Sequence, residues 1–427
     1  MIKDSDTPKD NRVKRDSKEF NKIARGIFLS GLSCFMQLYL FQPILPSIGR
    51  EFSINPAESS LTVSFSTIGI AAGLFAGALF ADRLSRKHLI GLALVCSSVL
   101  TVLSSFVTLF PVLICINMLK GFFLSGSASV AMTYIAEEIH PSALGKATSL
   151  YITGNAIGGM SGRIIATLIT GWLSWRWAAG IIGILCFIFG LLFTMEVPSS
   201  KHFKPYRTDA IKNLKAMGTH LRNPLLLSMY ILAGLNLGSF VSIYNYLAFR
   251  MQSAPFFLPH EILAALYLMY LAGSAGSITA GALTDKFSSQ KVMPAIVAFL
   301  LLGLLLMLAQ NLILVMLGLG IFTASFFGTH TTASKIVAQH SFTARPVSIS
   351  LFFLFYYAGS SLLGTSSGVI MHQFGWTVFI FALCAVCMLI LFIAVFFRRW
   401  IKKPTGTDPA LSQKLRASES LPLGQTE

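Results

Sequence analysis

The sequence predicts an all-α polytopic membrane protein: twelve transmembrane helices in two pseudo-symmetric six-helix bundles. Three observations carry this. Of the 427 residues, 54% are apolar and only 12% charged, where a soluble domain carries roughly 25% charge. The apolar residues fall in runs of about twenty, the length that crosses a bilayer. The second half of the chain repeats the first. Gly69 and Gly77 recur as Gly273 and Gly281, Asp82 as Asp285, Tyr151 as Tyr356, and Gly158 and Gly162 as Gly364 and Gly368, at offsets of 203 to 206 positions.

The elements follow in order. Residues 1–22 are charged and mixed in sign, and are expected to be a cytoplasmic tail. No cleavable signal peptide is expected, because the first apolar run is long and has no small-residue cleavage site behind it. Spans are expected at 23–46, 59–81, 88–109, 111–136, 144–172 and 175–196, making an N-terminal bundle over 23–196. Residues 197–222 carry Lys201, Lys204, Arg207, Lys212, Lys215 and Arg222 and read as a cytoplasmic central loop. A C-terminal bundle over 223–398 takes spans at 223–249, 260–284, 291–309, 311–337, 346–371 and 376–398. Residues 399–427 form a second polar tail.

Six plus six spans leave both tails on one side, and the basic residues choose that side. Arg83, Arg86, Lys87, Lys146, Lys286, Lys291, Arg345 and the tail cations cluster there, whereas the opposite loops hold Arg50, Arg176 and Arg250. Basic residues stay in the cytoplasm, so both termini and the central loop are expected there, with the protein multi-pass in a bacterial inner membrane. The same reasoning disposes of the net charge of +16: it marks orientation rather than nucleic-acid binding. The six cysteines all lie in apolar runs. They read as packing residues, and no metal or other cofactor is expected.

Four spans are smooth. The second has glycine at every fourth position (Gly69, Gly73, Gly77), and the fifth has Gly154, Gly158 and Gly162. The eighth has Gly273 and Gly281, and the eleventh Gly364 and Gly368. Residues four apart share a helix face, and small residues let backbones approach in lipid. If the two bundles meet face to face, these four spans are the natural contacts.

Charge inside the spans is scarce, so each case counts. Lys120 lies nine residues from the outer end of span four, and Arg163 nine from the outer end of span five. A charge at mid-membrane costs about 2.5–3.5 kcal/mol and normally faces a cavity. Two readings stand for each: an anion-attracting group, or a side chain that donates to backbone as structural glue. No Asp or Glu lies well inside a span, which argues against lipophilic cations as substrates and for neutral or anionic ones. His330 in span ten is the embedded group that titrates near neutrality and is the candidate proton carrier; the alternative is a neutral histidine bonded to a neighbouring helix. Tyr39 and Gln42 end span one before Pro43 and Pro46, and Asn236, Tyr244 and Asn245 occupy span seven.

The run Gly77-Ala-Leu-Phe-Ala-Asp82-Arg83-Leu-Ser85-Arg86-Lys87 resembles the cytoplasmic loop signature of the major facilitator superfamily, with Ser85 in place of a second glycine. MTYIAEEIHPS, YITGNAIGGMSGR, GTHTTAS and YYAGSS look like YnfM-type inner-membrane transporters, a branch grouped with sugar and drug efflux carriers. The resemblance spans residues 25–398. It implies a cavity lined by spans one, four, seven and ten, holding Tyr39, Gln42, Asn117, Lys120, Asn236, Tyr244 and Asn245, with Arg163 beside them. It implies alternating access, and a cytoplasmic gate made by Gly77, Asp82, Arg83, Arg86 and Asp285 with Glu137 or Glu138 as partner. Two departures weigh against proton antiport. Asn117 stands where the family often has arginine, and Gly158-Gly159-Met160 stands where its antiporter signature has glycine-proline.

The expected function is a secondary active transporter of a small organic solute, an exporter by resemblance, with a proton gradient as the candidate driving force. A multidrug/proton antiporter and an importer of a small metabolite are alternatives, and a channel or scaffold is the alternative of a different class. No Walker sequence marks a primary pump, and no paired carboxylates, histidine cluster or nucleophile–base set in the spans marks an enzyme. The expected partners are a small-molecule substrate and the lipid bilayer, with no nucleic acid, around a monomer.

Overall fold

The computed structural model describes residues 12–15, 17–80, 85–201 and 210–400. Among them the only β-type pairing is a single bridge between Val13 and Ile139. The long helices, in chain order, are α1 (Lys18–Tyr39), α2 (Pro56–Phe80), α3 (Arg86–Ser104), α4 (Phe110–Glu138), α5 (Pro141–Trp172) and α6 (Trp175–Glu196). The second half gives α7 (Pro224–Met251), α8 (His260–Phe287), α9 (Ser289–Leu306) and α10 (Leu312–His340). A continuous 52-residue stretch, Arg345–Phe396, follows; it is non-helical at Gly375, where φ is 78°. That backbone angle suits glycine alone at little cost, so the stretch is two helices, α11 over 345–374 and α12 over 376–396.

Ten helical stretches among the described residues are long and apolar enough to cross a membrane. Dividing the last at Gly375 makes eleven. The twelfth is α5, 32 residues long, whose apolar run is broken by Asn155, Arg163 and small residues. All twelve expected spans are therefore present as helices. Three boundaries move. α1 begins at Lys18, inside the stretch read as a tail, with Ser17 Oγ accepting from Phe20 N at 3.0 Å as its cap. The first span stops at Tyr39 and is followed by a 3₁₀ turn, Gln42–Ile44, and a short helix, Leu45–Phe52, because Pro43 has no N–H to continue the ladder. The central segment, read as a loop, contains a helix at Ala210–Leu221.

The four smooth spans are the ones that meet across the halves, as expected, but most of their glycine rows pack inside each half. An added Cβ at Gly69 would lie 2.0 Å from Met118 O, and at Gly158 2.2 Å from Leu32 O; Gly73 and Gly154 likewise press on Phe122 and Phe28. Gly162 faces Met36, and Gly273 faces the Phe327 ring. Each partner belongs to the same half as its glycine. The rows hold α2 on α4, α5 on α1 and α8 on α10, inside each bundle. Among the described residues nothing lies within 4 Å of a Cβ at Gly77 or Gly281, so Gly281 packs on none of these helices; Gly276, 2.1 Å from Ala324 O, does that work in α8. The reason is rotational. At 3.6 residues per turn each step of four drifts around the helix, so in α2 the third glycine has left the contact line, whereas in α5 Gly162 still meets Met36 O at 2.7 Å.

The halves meet through α2 along α11 and through α5 beside the start of α8. Here the contact is polar. Ser64 Oγ bonds Thr365 Oγ1 at 2.7 Å and Ser361 O at 3.3 Å, and Ser361 Oγ donates to Ser64 O at 3.1 Å. Gly364 and Gly368 sit on this seam while packing on Val241 and Tyr246 of α7. Backbone-to-backbone packing makes a static joint. Hydroxyl pairs can separate and find local carbonyls, which suits a seam.

Candidate functional site

The side bearing residues 17, 197–201, 210–222 and 397 is called proximal, the opposite side distal. Arg163 lies on α5, nine residues from its distal end, and is fully buried. Its Nε donates to Gln42 Oε1 at 2.8 Å and its Nη1 to Gly159 O at 2.5 Å. The guanidinium carbon stands 4.5 Å from the Tyr39 ring centre, 4.7 Å from Tyr270 and 5.3 Å from Tyr244. Cations are drawn to ring faces at such distances. Nη2 has no partner among the described residues.

Gln42 reaches Arg163 because α1 breaks. A straight helix through residue 42 would continue along α5; the 3₁₀ turn lets the side chain cross the seam. Its Nε2 donates to Asn245 Oδ1 at 2.9 Å and Val241 O at 3.4 Å, both on α7 of the other half. Tyr244 Oη bonds Thr323 Oγ1 of α10 at 2.9 Å. Behind it Phe240 stacks on Phe326, with ring centres 3.9 Å apart. On the distal rim, Trp172 donates to Glu261 at 3.2 Å across the seam.

Five of the expected cavity residues thus converge: Tyr39, Gln42, Arg163, Tyr244 and Asn245. Three do not. Lys120 is buried inside the N-terminal half, its Nζ donating to Asn117 Oδ1 at 2.6 Å beneath the Phe41 ring. Asn117 also accepts from Ser66 Oγ at 3.3 Å. Lys120 and Arg163 share no partner, so they do not make one anion site. The equal depth read along the two helices says nothing of the direction each side chain takes around its axis. Asn236 is two helical turns from Tyr244 and donates to Phe326 O at 3.1 Å, within the C-terminal half. His330 stands apart, its ring 4.8 Å from Tyr356 and 5.6 Å from Phe352, and its Nδ1 is buried without a partner among the described residues.

Tyr267 and Tyr270, both essential to the enclosure, were missed by the sequence reading. Both are buried, and Tyr267 Oη has no partner among the described residues. Their signal was present. They are three apart on one face of α8, in a span read only for its glycines.

Of the expected gate, Asp82 and Arg83 lie outside the described residues. Arg86 pairs with Glu137 at 3.2 Å, and Asp285 pairs with Lys335 of α10. Each ion pair closes within its own half. Glu138 is buried at the end of α4, and its carbonyl accepts from Val13 N at 2.9 Å.

Twelve long apolar helices in two related halves, meeting on a buried polar centre, define a polytopic transporter. The sequence model of the Major Facilitator Superfamily matches residues 27–260 and 257–424. The chain belongs to the major facilitator superfamily and is a membrane transporter of that type. It is 36% identical over 391 residues to an uncharacterised transporter of Buchnera aphidicola, covering 91% of this chain and 94% of that one. It is 35% identical over 364 residues to the inner membrane transport protein YnfM of Escherichia coli, covering 85% and 87%. In fold it is similar to a bacterial homologue of the human lysosomal transporter Spinster in an inward-facing, occupied conformation. There the TM-score is 0.74 and the identity 13%, covering 90% of this chain and 97% of that one.

Proposed function

We propose that the protein is a secondary carrier of a small organic anion with an apolar, preferably planar body, working by alternating access in a bacterial inner membrane. One observation carries this. Arg163 is a fully buried cation at the meeting of the halves, faced by three tyrosine rings and, among the described residues, no carboxylate, with one amino group left over. A buried charge without a counter-ion is costly, and a bound anion supplies one. The rings then offer flat apolar area to the rest of the solute. A neutral polar solute, accepting from the same donors, is the second occupant the site supports.

The proximal side is cytoplasmic on this reading, since the basic loops lie there, and the seam contacts described above hold the distal, outer side shut. Export follows from the resemblance to efflux carriers. His330 is the candidate for a coupled proton, because its Nδ1 is buried without a partner beside Tyr356.

The test is flux into vesicles reconstituted with the purified protein, screened against aromatic and aliphatic acids, sugars and neutral amides. Saturable counterflow of acids that stops when the driving gradient is collapsed supports the carrier. Flux that neither saturates nor shows counterflow means a pore, and preference for organic cations overturns the substrate class. His330→Ala should flatten the pH profile of flux, and an unchanged profile removes it as the proton carrier.

A further inference from the structure

Gln42 joins two side chains that each have a donor left unused. Its carbonyl takes Arg163 Nε, and its amino group gives to Asn245 Oδ1. On a guanidinium, Nη2 lies on the same edge as Nε, beside the carbonyl end of Gln42. On Asn245, Nδ2 lies beside Oδ1, at the other end of the same amide. Arg163 and Asn245 are both 0% exposed, and neither Nη2 nor Nδ2 has an acceptor among the described residues. An orphaned buried donor costs about 1–3 kcal/mol, and two of them flank one glutamine.

A glycine, with no side chain of its own, lies against each of the two. A Cβ at Gly364 would stand 3.5 Å from Asn245 Nδ2, and one at Gly159 3.4 Å from Arg163 Nη1 and 3.5 Å from the Tyr270 ring. Arg163 belongs to α5 and Asn245 to α7, on opposite sides of the seam.

On the organic-anion reading above, we infer that Arg163 Nη2 and Asn245 Nδ2 form a split clasp for a carboxylate, one donor from each half, held at a set spacing by Gln42. Each carboxylate oxygen takes one donor. The clasp is whole only while the distal side is shut, so binding an acid favours closure there and parting the halves lets it go. An amide offers one acceptor and one competing donor. It leaves one half of the clasp unpaired, and the site therefore selects acids over amides of the same shape.

The test uses the full chain in lipid nanodiscs. Spin labels are placed at Trp177→Cys and Ile313→Cys, exposed positions at the distal ends of α6 and α10, in a Cys115→Ser background. Benzoate and benzamide, then cinnamate and cinnamamide, are titrated while the distance distribution is recorded. The acids should raise the short-distance population at concentrations roughly tenfold below the amides. Asn245→Asp still accepts from Gln42 but seats a carboxylate of its own, so it should keep the short distance without ligand and lose the response to acids. Gln42→Ala should lengthen the distance without ligand. Amides as effective as acids, no response to any acid, or an undiminished response in Asn245→Asp overturns the clasp. If acids still show counterflow in vesicles, the clasp falls alone; if no solute does, the carrier reading falls with it.

Discussion

The N-terminal half places two buried cations, Arg163 and Lys120, inside its helices; the C-terminal half answers with Tyr244, Tyr267, Tyr270 and Asn245. The halves share a helix plan and a register of repeated glycines, yet their buried chemistry is unlike. Duplicated backbone supplies a symmetric frame that can tilt either way. Unequal side chains put charge on one face of the seam and flat rings with amide donors on the other, so the site is complete only when the halves meet. Within the N-terminal half the two cations also differ. Arg163 faces the seam and has an amino group unused, whereas Lys120 is turned inward onto Asn117 and Phe41.

That contrast can be broken most directly at the cations. Arg163→Gln should raise the half-saturating concentration of an acidic solute by roughly 30- to 150-fold, about 2–3 kcal/mol for a charged hydrogen bond, and that of a neutral one far less. Lys120→Met should leave acid affinity within about twofold, because replacing a buried charge with a hydrophobe is often neutral. Equal losses in the two variants, measured by counterflow, would mean that they act as one site after all.

The frame comes next. Gly158→Ala drives a methyl onto the Leu32 backbone and should cost about 1–3 kcal/mol, read as a lower thermal midpoint in detergent. Gly281→Ala meets nothing within 4 Å among the described residues and should be neutral or gain up to about 1 kcal/mol in helix propensity. A smaller effect is expected from the rings. Tyr270→Leu removes one face from the Arg163 guanidinium, about 0.5–2 kcal/mol, visible as weaker acid binding with flux at saturation retained. The smallest belongs to the proximal ion pair. Asp285→Asn breaks the proximal, largely exposed contact with Lys335, worth about 0–1 kcal/mol; a collapse of stability there would show that the pair supports more than its own half.

Much of the fold was legible because apolar run length and basic asymmetry are local properties of a chain. The twelve spans, the repeat and the smooth helices all came from counting. Arg163, Gln42, Tyr39, Tyr244 and Asn245 were legible as polar groups where lipid forbids idle ones. What the glycines touch was not, since spacing by four defines a row but not the direction it faces, and those rows turned inward. Tyr267 and Tyr270 were visible as a spacing on one face of α8, but nothing local aims that face at an arginine 104 positions earlier.

By itself, then, the sequence determined the class and the number of crossings, because burial in lipid constrains each segment separately. Only the tertiary structure decided that Arg163 and Lys120 part company, that Gln42 crosses to Asn245, and that hydroxyl pairs join the glycines on the seam. Those outcomes depend on the rotation of each helix about its axis, which is set by the packing of all the others.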